Sequence, residues 1–182
     1  MREIQSNVSY TPVAKFFHWG MALLWIAAWT LGFTAAHGGK ALNPDAVLTI
    51  LHKSVASTIL FLVVPRLLWR FWRRPPSLPE TMSALSQQFA HFGHWLLYAV
   101  ALIALPLSGW YLSSVAGKPI LLAGLIALPP LAEPDKALVA TARLFHNYTA
   151  WFCGLLVLGH ILVAIKHHVI DRDDILLRMK WR

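Results

Sequence analysis

The chain has 182 residues, of which 57% are apolar and 13% charged, and its mean hydropathy is positive. A water-soluble domain of this size needs more polar surface to stay dispersed, so the composition excludes an ordinary soluble protein. The formal charge of +8 would suit nucleic acid, but most basic residues flank apolar blocks, where membrane proteins carry the charges that set their topology.

Four apolar blocks are long enough to cross roughly 30 Å of hydrocarbon as helices. The first runs from about Phe16 to Ala36. It exceeds the roughly 7–15 residues of a signal-peptide core and is rich in Trp, which predicts an uncleaved helix. The second, about Val47 to Trp72, contains Pro65, tolerated in a membrane where neighbours satisfy the freed carbonyl. Arg73 to Ser77 (RRPPS) then forms a polar turn. The third block runs from about Phe92 to Val115 with Pro106 inside it, and the fourth from about Phe145 to Val169. Between them Pro119 to Leu131 (PILLAGLIALPPL) is apolar but too short to span, which predicts a segment lying in the interface or covering helix ends. Trp19, Trp72, Trp95, Trp110 and Trp151 fall near predicted helix ends, as interfacial aromatic belts do. There is no convincing internal repeat. The expectation is an all-α membrane protein, a four-transmembrane-helix bundle in one domain over residues 1–182.

Charge orients the bundle. Arg2, Lys15, Arg66, Arg70, Arg73, Arg74, Lys166, Arg172, Arg178, Lys180 and Arg182 are eleven of the sixteen basic residues and fall on one side. Lys40, Lys53, Lys118, Lys136 and Arg143 fall on the other. The positive-inside rule then puts both termini and the Arg-rich turn in the cytoplasm. The single cysteine, Cys153, lies mid-block and reads as a small buried hydrophobe. No C-x-x-C-H occurs, which excludes a covalently attached c-type haem.

The nine histidines are the chemical signal. Ionisable side chains within hydrocarbon are expensive and usually functional. His146 and His160 are fourteen residues apart, which at about 100° per residue is about 40° short of four full turns. They share one helix face and stand about 21 Å apart along the axis, one in each leaflet. His52, early in the second helix, matches the depth of His146 on the outer side. His18, His91 and His94 all match the depth of His160 on the inner side, and depth alone does not choose among them. Two stacked pairs of facing imidazoles suit two haems held by axial histidines, with no open position on the iron, an arrangement fitted to electron transfer. Zinc is the rival. It wants about four ligands at one depth, and the outer side offers only His52, His146 and a loop residue, His37. Gly20, Gly154 and Gly159 would let a planar ligand approach the backbone, and equally serve close helix packing.

The chain resembles the bacterial cytochrome b-561 family, four-helix di-haem proteins related to the cytochrome b subunits of membrane hydrogenases and formate dehydrogenases. The resemblance rests on KFFHWGMALLW around His18, LHKSVASTILFLVVPRLLWR around His52 and AHFGHWLLYAVALIALPLSGW in the third helix. It continues through FHNYTAWFCGLLVLGHILVAIKHH around His146 and His160 to the tail DDILLRM, nearly the whole chain. It implies two non-covalent haem b groups with axial pairs His18–His160 (inner) and His52–His146 (outer), His91 and His94 not being axial. These two residues then serve as hydrogen-bonding neighbours of a haem edge or of a ligand histidine, while His167 and His168 are interfacial. It also implies a multi-pass protein of the bacterial inner membrane that exchanges electrons with ubiquinone, some members being similar to superoxide oxidases. Lys53 and Arg143 are the outer basic residues best placed to steer an anion or to meet outer haem propionates. Two other functions compete: a membrane-anchor cytochrome b subunit of a larger quinone-linked dehydrogenase or hydrogenase, and a metal or proton transporter using the histidine ladder. No partner protein is identified by the sequence.

Overall fold

A computed structural model describes residues 9–79 and 81–181. Arg2 and Arg182, counted above among the orienting charges, lie outside these residues. Four helices are long and apolar enough to cross a membrane: α1 (Pro12–His37), α2 (Val47–Trp72), α3 (Ala84–Val115) and α4 (Lys136–Asp171). Large apolar side chains such as Leu23, Phe71, Phe152 and Leu155 are exposed on their outer faces. Water would not tolerate so much exposed apolar surface, but hydrocarbon does.

Three of the four helices begin where capping groups sit rather than where hydropathy rises. Thr11 accepts the N–H of Ala14 at 3.2 Å and Pro12 opens α1. Ser83 accepts the N–H of Ser86 at 3.2 Å, so α3 starts at Ala84, ahead of the apolar block at Phe92. Asp135 accepts the N–H of Ala137 at 2.8 Å and starts α4 at Lys136, well before Phe145. Hydropathy locates the bilayer-crossing part of a helix and says nothing about the polar turns that precede it. As a result Trp151 lies within α4, edge-on to Trp29 and Phe33 at 5.6 and 5.9 Å, rather than near a helix end.

Pro106 reshapes α3. Residues Leu97–Ala104 adopt the wider π register, and Leu105 donates to Val100, five residues back. In that register residue 106 would donate to Ala101, but proline has no N–H. The Trp25 indole Nε1–H fills the vacancy, donating to the Ala101 carbonyl at 3.2 Å. Around this bond packs the core: Met21, Trp25 and Ala28 of α1, Ile59 and Val63 of α2, Tyr98 and Ala101 of α3, and Cys153 of α4, fully buried.

The two ends of the bundle differ. At one end the segment after α4 is strapped to the start of α1: Tyr10 N–H donates to Arg178 O at 3.2 Å, Lys15 Nζ to Lys180 O at 2.8 Å, and Trp19 Nε1 to Met179 O at 2.9 Å. Arg178 also reaches the α2–α3 connection, donating to Ser77 O at 2.6 Å. This is the tail end. At the opposite end, the segment 119–131 folds into a short antiparallel hairpin, β1 (Leu121–Leu122) with β2 (Ile126–Ala127). It covers the end of α3, where Trp110 Nε1 donates to Pro129 O at 3.0 Å and Leu131 N–H to Ser114 Oγ at 2.9 Å. This is the hairpin end.

Candidate functional site

Two pairs of imidazoles face one another inside the bundle. Near the hairpin end, His52 of α2 and His146 of α4 have ring centroids 6.1 Å apart. Near the tail end, His18 of α1 and His160 of α4 stand 6.2 Å apart. An ion bridging two imidazoles needs about 2 Å to each nitrogen, and about 1 Å more separates each nitrogen from its ring centre, giving about 6 Å between centroids. Both pairs meet that spacing. His94 of α3 also reaches His160, with ring centroids 5.4 Å apart.

Hydrogen bonds fix which nitrogen each ring presents. A carbonyl only accepts, so His52 Nδ1 must carry the proton it shares with Ala28 O at 2.7 Å. Ser108 has one hydroxyl hydrogen, and it is directed to Leu105 O at 2.7 Å. Its oxygen therefore accepts from His146 Nδ1–H at 2.9 Å. Both rings keep the Nε2 lone pair free for a metal, the arrangement in which ligating histidines are usually held. His94 Nδ1 similarly donates to Ala90 O at 2.6 Å.

Two glycines that the sequence reading did not single out make room for these rings. A Cβ on Gly32 of α1 would lie 2.8 Å from the His52 ring, and one on Gly109 of α3 would lie 3.0 Å from His146 Cε1. The first contact is closer than a side chain can occupy; the second is tight, and the His146 ring would have to give by a few tenths of an ångström. Of the glycines named from sequence, Gly154 packs against the Trp29 indole, where a Cβ would meet Nε1 at 3.2 Å, while Gly20 and Gly159 face open space. The pair Ser108-Gly109, small residues within an apolar block, is the signal that could have pointed to this wall of the site.

The remaining histidines stand apart from both pairs. His37 is exposed, stacked on Phe33 at 4.5 Å with Nδ1 donating to Phe33 O at 2.9 Å. His91 and His168 are exposed. His167 pairs with Asp173 at 2.6 Å and Asp171 at 3.0 Å near the tail end. Among the described residues that last trio is the one place where three potential metal-ligand atoms converge within 4.8 Å. Among the described residues His18, His94 and His160 do not converge in this way.

Paired imidazoles at metal-bridging distance, with Nδ1 held at His52 and His146 and glycine at the two close approaches, fit an iron porphyrin slotted between helices. Comparison with known proteins agrees. Residues 9–182 match the family described as prokaryotic cytochrome b561. The chain is 31% identical over 175 residues to cytochrome b561 homolog 2 of Escherichia coli strain K12, covering 93% of this chain and 90% of that protein. It is 30% identical over 171 residues to the probable superoxide oxidase CybB of Yersinia pestis, covering 93% and 94%. It is also 28% identical over 131 residues to cytochrome b561 homolog 1 of Escherichia coli, covering 72% and 73%. The chain belongs to the prokaryotic cytochrome b561 family and is a multi-pass haem protein of the bacterial inner membrane.

Proposed function

We propose that this protein is a di-haem b-type cytochrome that carries electrons across the bilayer from superoxide to membrane ubiquinone. The observation that carries the reading is the pair of stacked imidazole couples, each at metal-bridging distance and joined through α4. His52 and His146 hold one haem and His18 and His160 the other. A b-type haem held there would supply one-electron redox chemistry.

The protein's own residues then set direction. The cation-rich tail end faces the cytoplasm by the positive-inside rule, and the hairpin end faces the periplasm. Lys53 and Arg143 lie toward the hairpin end, and among the described residues neither is ion-paired to a carboxylate. Both add positive potential for an anionic donor. Each superoxide gives up one electron and leaves as dioxygen. Ubiquinone takes two electrons and two protons to become ubiquinol, so two superoxides serve one quinone. The similarity to a protein described as a probable superoxide oxidase supports this donor.

The purified, solubilised protein is expected to show a reducible b-type spectrum with two haems per chain. His52→Ala or His146→Ala removes one haem; His18→Ala removes the other, while His94→Ala keeps both. In stopped-flow mixing, superoxide reduces the haems and added ubiquinone reoxidises them. A preparation that takes up no haem overturns the reading, and haems inert to superoxide overturn the donor.

A further inference from the structure

The tail end carries a cationic pair that the histidine geometry does not use. Arg66 and Arg70 lie four residues apart on α2 and so project from one face. Their guanidinium groups both lie over the Tyr98 ring, 5.0 and 5.5 Å from its centroid, and Arg70 also covers Trp95 at 5.4 Å. Arg66 donates Nε–H to Tyr98 Oη at 2.9 Å and Nη1–H to Phe17 O at 3.2 Å. Phe17 is the residue before His18.

No carboxylate answers these charges among the described residues. The described acids at this end are committed elsewhere: Asp171 to Lys166 and His167, Asp173 to His167, and Asp174 to Arg178. Tyr10 lies in the same neighbourhood, but burial raises its pKa, so the phenol stays neutral and supplies no negative charge. Lys15, also buried, has no carboxylate partner among the described residues and donates to Lys180 O. Two like charges, both partly buried and sharing one aromatic ring, are costly at membrane depth without an anion between them. Donors for one remain: Arg66 Nη2 and the Arg70 guanidinium make no hydrogen bond to the described residues.

We propose that Arg66 and Arg70 form a carboxylate site that binds a propionate of the haem held between His18 and His160. The proposal rests on the di-haem reading. A planar guanidinium matches a carboxylate through two parallel hydrogen bonds, which also fixes the rotation of the porphyrin in its slot. A lipid headgroup phosphate offers the same anionic chemistry, and the test separates the two sources.

The test uses the intact, haem-loaded protein and the variants Arg66→Gln, Arg70→Gln and the double change, with Arg66→Lys as the milder form should the neutral ones fold poorly. Resonance Raman spectra should show the propionate bending band of one haem shifted in each Gln variant, with the other haem unchanged. Redox titration should show the midpoint potential of the same haem lowered, because an uncompensated propionate favours the ferric state. Unchanged propionate bands and unchanged potentials overturn the site. So does a fall in tightly bound phospholipid in the double variant with the Raman bands intact, which assigns the site to lipid phosphate. His18→Ala is the control: if it retains both haems the His18–His160 pairing that the proposal rests on fails, whereas its loss of one haem beside unaltered Arg variants removes only the propionate site.

Discussion

His52 donates its Nδ1–H to the carbonyl of Ala28 across the α1–α2 interface at 2.7 Å. A carbonyl at position 28 normally belongs to the helix's own ladder, so this one accepts a second bond through its other lone pair. His146 reaches the same state by a different route, through the oxygen of Ser108. One Nδ1–H is held by backbone and the other by a side chain. The second can be removed by substitution without touching a ligand.

Ser108→Ala is therefore expected to raise the midpoint potential of the His52–His146 haem. An acceptor on Nδ1–H makes the imidazole a stronger donor to iron and favours the ferric state, so losing it shifts the balance toward ferrous. The shift should be on the order of tens of millivolts and confined to one haem in a redox titration. A uniform shift of both haems would show that the hydroxyl acts through the fold rather than through His146.

Gly32→Ala should cost the same haem altogether. The new methyl would stand 2.8 Å from the His52 ring, and α1 and α2 are too tightly packed for the backbone to yield that much. The ring must turn away, breaking both its bond to Ala28 and its alignment with His146. Haem content should fall from two per chain to about one, and His18 and His160 should keep theirs. Gly20→Ala, which meets only open space, is the matched control and should change nothing.

How much of this was legible beforehand varies with the physics behind each feature. The four spans and the shared face of His146 and His160 follow from helix geometry and hydropathy, which are local. The early starts of α3 and α4 depend on Ser83 and Asp135 as caps, a signal present in the sequence but invisible to a hydropathy reading. Gly32 and Gly109 were not legible, because what a side chain there would meet is a ring on another helix. The choice of His18 over His94 could not come from depth. It came from the resemblance; packing sets both rings beside His160, with centroids 6.2 and 5.4 Å away. For residues 119–131 the sequence leaves open a segment in the interface or a cover for helix ends, and it does not show the paired strands, since a two-residue ladder leaves little trace in an apolar run.

Tyr10 gives the structure an alkaline limit. Its phenol lies outside the spanning helices, and burial raises its pKa above the ordinary value, outweighing the opposing effect of Arg70. The folded state therefore holds its proton more tightly than the unfolded state does. Stability is fully present below about pH 10 and is lost as pH rises through the folded pKa. Thermal unfolding in detergent should show a flat melting temperature up to about pH 10 and a decline above it. Tyr10→Phe should flatten that decline. Because Tyr10 N–H also ties the chain to Arg178 O, which Phe preserves, the strap itself should survive the change.

Trp25 is the residue whose loss should most directly test the π segment of α3. Pro106 leaves the Ala101 carbonyl without its ladder donor, and the indole Nε1–H replaces it at 3.2 Å in a position where Trp25 is 8% and Ala101 1% exposed. Trp25→Phe keeps most of the aromatic bulk but has no donor to offer. The orphaned carbonyl then costs about 1–3 kcal/mol, the usual range for a buried acceptor left unsatisfied. A drop in melting temperature with both haems retained is the expected outcome. Replacing Pro106 by Ala in the same protein restores an N–H at that point and should recover part of the loss. If the double variant is no more stable than Trp25→Phe alone, the indole is acting through packing and not through the carbonyl.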